Sequence, residues 1–282
     1  MKTAERLDGG TVSMPAEPPI TPGGDENGYA PVPSPYQDDP VGRITGELFF
    51  HDPNGNKDGH CTASVVRSRS RSLLVTAAHC VVSVTGQSPI VWQEYPLFVP
   101  AYDGTRGLSD EQRAPFGLWP VTRVYVPAIA EVNPFYLLRA EYDLAIAGVF
   151  DQLGRPIEDV VGEGFVPLIT HDAVLFPKMR VVGYPGAGPY SGAEQYGCES
   201  TTATGSVGGI RLSNCGLGSG NSGGPVLVAD ERQQRVAAVV HSPVDQTRLL
   251  EYTYPALEGR ASDEHRHRSA TGACRGGQCR QK

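Results

Sequence analysis

Gly220-Asn221-Ser222-Gly223-Gly224-Pro225 sets one serine among three glycines and leads at once into the apolar run Val226-Leu227-Val228. Glycine tolerates φ angles that side chains forbid, so such a turn can aim backbone N–H groups at a single point. The N–H groups of Gly220 and Ser222 are the pair expected to converge on a developing oxyanion. A serine hydroxyl is a weak nucleophile at neutral pH; it needs a base within reach and a carboxylate to orient that base. Taken alone the segment is also an ordinary polar turn, because Asn, Ser and Gly are common turn residues.

Two upstream stretches supply the missing parts. Thr76-Ala77-Ala78-His79-Cys80 follows the apolar run Leu73-Leu74-Val75 and sets a histidine beside a cysteine. Tyr142-Asp143-Leu144-Ala145-Ile146 puts a carboxylate at the entry to another apolar run, where burial against an imidazole would keep it ionised and fix the histidine tautomer. Asp103, Asp151 and Asp172 lack that apolar context. The candidate set is therefore His79, Asp143 and Ser222, in the order His, Asp, Ser. The same Gly220 to Gly224 also fits the G-x-S-x-G elbow of α/β-hydrolases, but that elbow lies between a strand and a helix and its histidine follows the serine. Here a strand-like run follows the serine and the best histidine precedes it.

Working outward, short β-branched and apolar runs bounded by turn formers recur along the chain: ITGELFF from Ile44, CTASVV from Cys61, IVWQEYPLFVP from Ile90, LWPVTRVYV from Leu118, GFVPLI from Gly164, MRVVGYPG from Met179 and RVAAVVHS from Arg235. With 34 glycines, 24 prolines and few 3.6-period patterns, the expectation is an all-β chain. Its strands are expected to form two antiparallel β-barrels, about 43–145 and 146–258, with residues 101–117 as an inserted loop. Eight prolines between Pro15 and Pro40, mixed with Gly, Ser, Asp and Glu, read as a disordered N-terminal segment or pro-segment over 1–42. Residues 259–282 read as a basic, cysteine-containing tail. A strand that closes the second barrel is hard to find after Ser242; LLEYTYPAL, Leu249 to Leu257, offers a short candidate.

Six cysteines fall into near neighbours, Cys61 with Cys80, Cys198 with Cys215 and Cys274 with Cys279, which reads as three local disulfides in an oxidising compartment. The count alone does not fix that connectivity. The N-terminus holds no apolar run of the kind a secretory signal needs, so cysteines and N-terminus disagree; a secreted, extracellular protein is the favoured reading. A net charge of −7 argues against nucleic acid as a partner, and no run is long and apolar enough for a membrane helix. His265, His267, Cys274 and Cys279 match zinc spacing poorly, so no metal and no cofactor are expected.

TAAHC, YDLAI and GNSGGP, in that order, resemble the chymotrypsin family of serine endopeptidases over roughly residues 43–245. The resemblance implies a site in the cleft between the barrels, His79 and Asp143 coming from the first and Ser222 from the second, and protein or peptide substrates cut by a monomer. Gly183-Tyr184-Pro185-Gly186 and the asparagine before the serine resemble the secreted bacterial branch that includes the glutamyl endopeptidases. That narrower likeness implies a substrate-binding set of Ser219, His241 and Ser242, with His241 meeting an acidic side chain, and hence cleavage after Glu or Asp. Trypsin-like enzymes hold an aspartate six residues before the serine; Gly216 stands there, so cleavage after Lys or Arg is disfavoured. They also pair an aspartate with a newly cut N-terminal amine, and Asn221 has no charge for that role, which argues against activation at Arg43-Ile44. The alternative to an enzyme is a catalytically inactive, protease-fold binding protein.

Overall fold

The computed structural model describes residues 25, 27–83, 90–105, 107–133, 136–137, 142–168, 178–200, 203–206, 209–212, 215–216, 218–229, 234–242 and 246–249. Its strands in chain order are β1 (Tyr29–Pro31), β2 (Thr45–Asp52), β3 (Lys57–Val66), β4 (Leu73–Thr76), β5 (Val82–Ser83), β6 (Val91–Trp92), β7 (Glu94–Pro100), β8 (Trp119–Tyr125) and β9 (Ala145–Val149), then β10 (Val166–Pro167), β11 (Met179–Gly183), β12 (Tyr196–Ser200), β13 (Ala203–Ser206), β14 (Gly209–Leu212), β15 (Pro225–Ala229), β16 (Gln234–Ser242) and β17 (Gln246–Leu249).

The first barrel closes in the order β2-β3-β4-β9-β8-β7. β2 and β3 form its longest hairpin, turning through Pro53-Asn54-Gly55-Asn56, where the Asn54 N–H donates to the Asp52 carboxylate and Asn56 takes φ +45°. Asn is one of the few side chains that tolerates that region. Gly46 lets β2 curve over Phe98, because a Cβ there would lie 2.6 Å from the Phe98 ring. The barrel interior is filled by Leu48, Ala63, Val65, Leu74, Phe98, Trp119 and Ala147, all buried. Trp119 donates its indole N–H to the Phe116 carbonyl, so its one polar atom is satisfied.

The second barrel is a nine-stranded sheet running β1-β12-β11-β15-β16-β17-β14-β13, with β10 joining β16 in parallel. Val181, Val226, Val228, Ala238 and Val240 line its core. The apolar cluster of the first barrel also takes in Val182, Leu227, Val236 and Val239 of this sheet, so the two units share one packed seam. The molecule is mainly β, with short helices α1 (Asp110–Arg113), α2 (Ile129–Val132) and α3 (Glu158–Val161). No helix among the described residues is long and apolar enough to cross a membrane.

Four sequence expectations change. Order begins well before Arg43: β1 pairs with β12, and Tyr29, Val32, Tyr36 and Val41 are buried in the two cores. Proline suits this segment because it adds an edge strand and loop that need few N–H donors. The division near residue 145 moves, since β9 belongs to the first barrel. The 101–117 loop carries a short helix, α1, whose N-terminus is a Ser109–Gln112 capping box. The closing strand exists as β17, paired with both β16 and β14, and lies just upstream of most of the expected Leu249–Leu257 run. Residues 1–24 and 250–282, including Cys274 and Cys279, lie outside the described residues.

Cys61–Cys80 and Cys198–Cys215 are disulfides. The first spans 19 residues and joins β3 to the turn that follows β4. Replacing both Cys61 and Cys80 by Ala is expected to lower stability by about 3 kcal/mol. Urea denaturation reads this as a shift in the midpoint at constant slope; an unchanged midpoint would show that the bridge adds nothing to strands already paired.

Candidate active site

The register between β4 and β9 brings His79 and Asp143 together. Thr76 faces Ala145 across the antiparallel pair, so the chain leaving β4 towards His79 runs against the chain entering β9 through Asp143. His79 sits in a single 3-10 turn, Ala78–Cys80, whose far end is the disulfide-bonded Cys80. Its backbone N–H donates to Asp143 Oδ1 at 2.8 Å, and its Nδ1 lies 2.6 Å from Asp143 Oδ2.

A second imidazole reaches the same oxygen. His241 Nδ1 is 2.5 Å from Asp143 Oδ2, and the two rings meet edge-on with centroids 6.2 Å apart. The Asp143 side chain is 0 % exposed, against 26 % for His79 and 13 % for His241. Burial by itself would raise the Asp143 pKa; the His79 charge and hydrogen bonds from both histidines outweigh it and hold the carboxyl below the usual carboxylate range. For His79, burial opposes the charged ring, but the Asp143 carboxylate wins and holds the imidazole above its ordinary pKa. An ionised carboxylate only accepts, so both Nδ1 atoms donate. In its neutral form His79 therefore keeps Nε2 unprotonated, the form a general base requires.

Ser222 is anchored by its backbone. Its carbonyl accepts from Thr62 N–H at 2.8 Å, and Cys80 Sγ lies 3.6 Å from the same oxygen, so the serine sits beside the residue that follows His79. Thr62 Oγ1 donates to the Gly220 carbonyl at 2.8 Å and accepts from Tyr184 N–H at 3.0 Å. β16 holds the other side: Gly223 N–H donates to the Val240 carbonyl at 2.7 Å and Val240 N–H donates to the Gly224 carbonyl at 2.9 Å. The next residue along that strand is His241, which reaches Asp143. One strand thus ties the serine turn to the carboxylate.

Gly220 and Gly223 take φ +89° and +80°, and a Cβ on Gly223 would collide with Thr76 and with the Thr62 carbonyl. Asn221, Gly223 and Gly224 each donate their N–H to a backbone carbonyl. Among the described residues the N–H groups of Gly220 and Ser222 donate to none. No hydrogen bond among the described residues joins Ser222 Oγ to His79; such bonds are commonly long until substrate binds. The glycines of Gly183-Tyr184-Pro185-Gly186 also have a physical reason. A Cβ at 183 would lie 2.6 Å from Asn221 Oδ1, and Gly186 N–H donates to the Ser219 carbonyl at 2.6 Å.

Of the substrate-binding set, Ser219 is exposed on this turn, His241 is committed through Nδ1 to Asp143, and the Ser242 side chain lies outside the described residues. Gly216 is covered by Asn27, whose carbonyl accepts its N–H at 2.9 Å, and a Cβ at 216 would lie 2.8 Å from Asn27 Oδ1. Two clusters have metal-ligand spacing, Cys61-His79-Cys80 and His79-Asp143-His241. The first offers no thiolate because its cysteines form the disulfide, and a cation in the second would have to displace both imidazole hydrogen bonds on Asp143. Thr62 and Asn27 are the contributors the sequence did not reveal. The position of Thr62 next to Cys61 is a signal in hindsight, but nothing local marks Asn27.

Three proteases are among the solved structures that share this architecture. A thermostable serine protease, AL20, from an extremophilic microorganism is 22 % identical and superposes with a TM-score of 0.63, covering 80 % of this chain and 100 % of its own. Protease Anisep from Arthrobacter nicotinovorans is 24 % identical at TM-score 0.57, covering 74 % and 90 % respectively. The fold is chymotrypsin-like. A Glu endopeptidase solved in complex with MPD adds to the same chymotrypsin-like set, 17 % identical at TM-score 0.57, with 82 % of this chain and 94 % of that one covered. No family model matches the sequence, and no curated protein matches it. At such identities the likeness to these chymotrypsin-like structures establishes the fold, and the chemistry has to be argued from the side chains.

The raised pKa of His79 has a direct test. Its imidazole is expected to titrate with a midpoint above the ordinary 6.5, read by NMR. Asp143→Asn, which removes the charge that holds the proton, is expected to bring the midpoint down below the wild-type value. A midpoint that does not move on that substitution would show that Asp143 does not govern His79.

Proposed function

We propose that this chain is a serine endopeptidase that cuts peptide bonds by acyl transfer to Ser222 followed by hydrolysis. The observation that carries the reading is the juxtaposition of a buried, doubly hydrogen-bonded Asp143–His79 pair with a glycine turn whose Gly220 and Ser222 N–H groups have no protein acceptor among the described residues. In this reading His79 Nε2 takes the Ser222 proton as Oγ attacks the scissile carbonyl. Asp143 steadies the imidazolium that results, and the two free N–H groups receive the oxyanion. His79 then hands its proton to the leaving amine. A water activated by the same imidazole releases the acyl group.

Because His79 must be unprotonated to act, its raised pKa sets the acidic limb of the rate profile. Turnover is lost as pH falls through that pKa, which lies above 6.5. For the same reason Asp143→Asn is expected to reduce kcat by about 10⁴-fold, through loss of the correct tautomer.

Acidic side chains are the proposed preference at the residue whose carbonyl is attacked. Gly216 has no room for a carboxylate, which removes the counter-charge that Lys or Arg would need. His241 supplies a half-buried imidazole beside the site, and that ring is the group proposed to meet a substrate carboxylate. The two disulfides suit an oxidising, extracellular setting, where protein and peptide substrates would be met.

Intact-mass measurement after treatment with an organofluorophosphonate tests the reading. One adduct on the wild type, absent from Ser222→Ala, is expected; a folded wild type that takes no label would point to a protease-fold binding protein. The preference is tested separately by cleavage-site profiling. The wild type is expected to favour Glu and Asp, with that bias reduced at least tenfold in His241→Ala; a parent without acidic bias would refute it.

A further inference from the structure

Asn221, the residue before Ser222, is 0 % exposed, and its Nδ2 donates to the Tyr29 hydroxyl at 2.6 Å. Tyr29 is 1 % exposed. It is fixed on β1 opposite Cys198 of β12, with its ring edge-on to Tyr190 at 5.4 Å and to Tyr196 at 6.4 Å. The segment that carries it is tied down again two residues earlier, where Asn27 accepts from Gly216 N–H and donates from Nδ2 to the Tyr190 hydroxyl. Asp25 Oδ1 then accepts the N–H groups of both Asn27 and Tyr29. Asn27 and Tyr29 therefore hold the loop that ends in Ser222 at two places, Gly216 and Asn221.

We propose that Tyr29 is a positioning residue for the nucleophile turn: its hydroxyl holds Asn221, and with it the Gly220 and Ser222 N–H groups, in the arrangement an oxyanion needs, with no cleavage at Arg43-Ile44. The proposal deepens the endopeptidase reading and rests on it for its kinetic consequence. Asn221 Oδ1 has no hydrogen-bond partner among the described residues, so the bond to Tyr29 is what satisfies this buried amide. Without it the amide would be unpaired in the core, and rotation of the 220–221 backbone would be the nearest relief. That rotation would carry the Gly220 N–H away. The chain runs unbroken from β1 through a 3-10 turn at Gly42–Ile44 into β2, with Ile44 buried and Thr45 N–H bonded to the Val41 carbonyl. An amine freed at Ile44 would arrive as a further donor, and Asn221 carries no charge to pair with it.

Tyr29→Phe removes one oxygen and keeps the ring. Hydrogen exchange in peptides spanning 218–224 is expected to speed up at least tenfold while the first barrel is unchanged, a local pattern that general destabilisation would not give. Labelling of Ser222 by the fluorophosphonate is expected to slow at least tenfold, measured at a temperature where both proteins remain fully folded. Asn221→Asp gives a second arm, because a carboxylate there accepts from the Tyr29 hydroxyl. It should keep at least a third of wild-type labelling alone and lose at least tenfold more when combined with Tyr29→Phe. Exchange in 218–224 that is the same in wild type and Tyr29→Phe would overturn the proposal, as would labelling that appears only once the Arg43–Ile44 bond is cut. If the wild type takes no label but Tyr29→Phe still opens 218–224 to exchange, the positioning role stands and the endopeptidase reading fails.

Discussion

The buried carboxylate of Asp143 is the constraint on which the rest of the molecule turns. An isolated carboxylate removed from water costs several kcal/mol even after relaxation, so this one survives only through charge-assisted hydrogen bonds. It accepts three: the His79 N–H, His79 Nδ1 and His241 Nδ1. The first two come from the turn after β4 and the third from β16 of the other sheet. The carboxylate is satisfied only when the barrels are docked, and the apolar seam of Val182, Leu227, Val236 and Val239 supplies the burial that makes docking favourable. Assembly of the site and assembly of the fold are in this sense one event.

The serine turn is held by the same logic, with backbone groups in place of charge. Thr62 bonds the carbonyls of Ser222 and Gly220, and Val240 bonds Gly223 and Gly224. Thr62 follows Cys61, whose disulfide partner Cys80 follows His79, so one covalent bridge links the strand that clamps the serine to the turn that bears the imidazole. The glycines matter here because the turn is crowded. A Cβ at 183, 220 or 223 would meet backbone or side-chain atoms of the opposing segments. Once its neighbours are bonded, the turn leaves the Gly220 and Ser222 N–H groups without a backbone acceptor among the described residues, which is the arrangement the proposed oxyanion site requires.

The sequence carried the parts of this that depend on local chemistry. Alternating and β-branched runs located most strands, and the contexts of His79, Asp143 and Ser222 singled out residues that the structure brings to one end of the first barrel and the turn beside it. Cys61–Cys80 and Cys198–Cys215 pair as near neighbours should. What it hid depends on long-range geometry. Tyr29, Val32, Tyr36 and Val41 are scattered among prolines and fall into no period, yet each is buried, because the surface they cover is formed by β12 and the first barrel far along the chain. His241 reads as the last residue of an apolar strand facing a pocket, whereas its Nδ1 is held by a carboxylate 98 residues away. β17 was obscured because its short run, Gln246–Leu249, is polar enough to read as a loop and is a strand only by virtue of β14 and β16 on either side.

The choice of asparagine before the serine follows from what the N-terminal segment offers. A charged residue at position 221 would be fully buried and would cost more to take out of water than an amide, so it would depend on charge-assisted hydrogen bonds or an opposite charge beside it. β1 delivers a phenol instead, on a strand already paired with β12 and packed between two other tyrosines. An amide and a hydroxyl lose less on leaving water than an ion does, and one good hydrogen bond between them is enough to offset that loss. The neutral pair therefore requires no cleavage to generate a charge, and it comes into register as the edge strand forms. Gly216 completes the same arrangement, because the absence of a side chain there lets Asn27 lie against the loop and bond its backbone directly. A segment whose composition suggests a linker is in this way part of the wall behind the site.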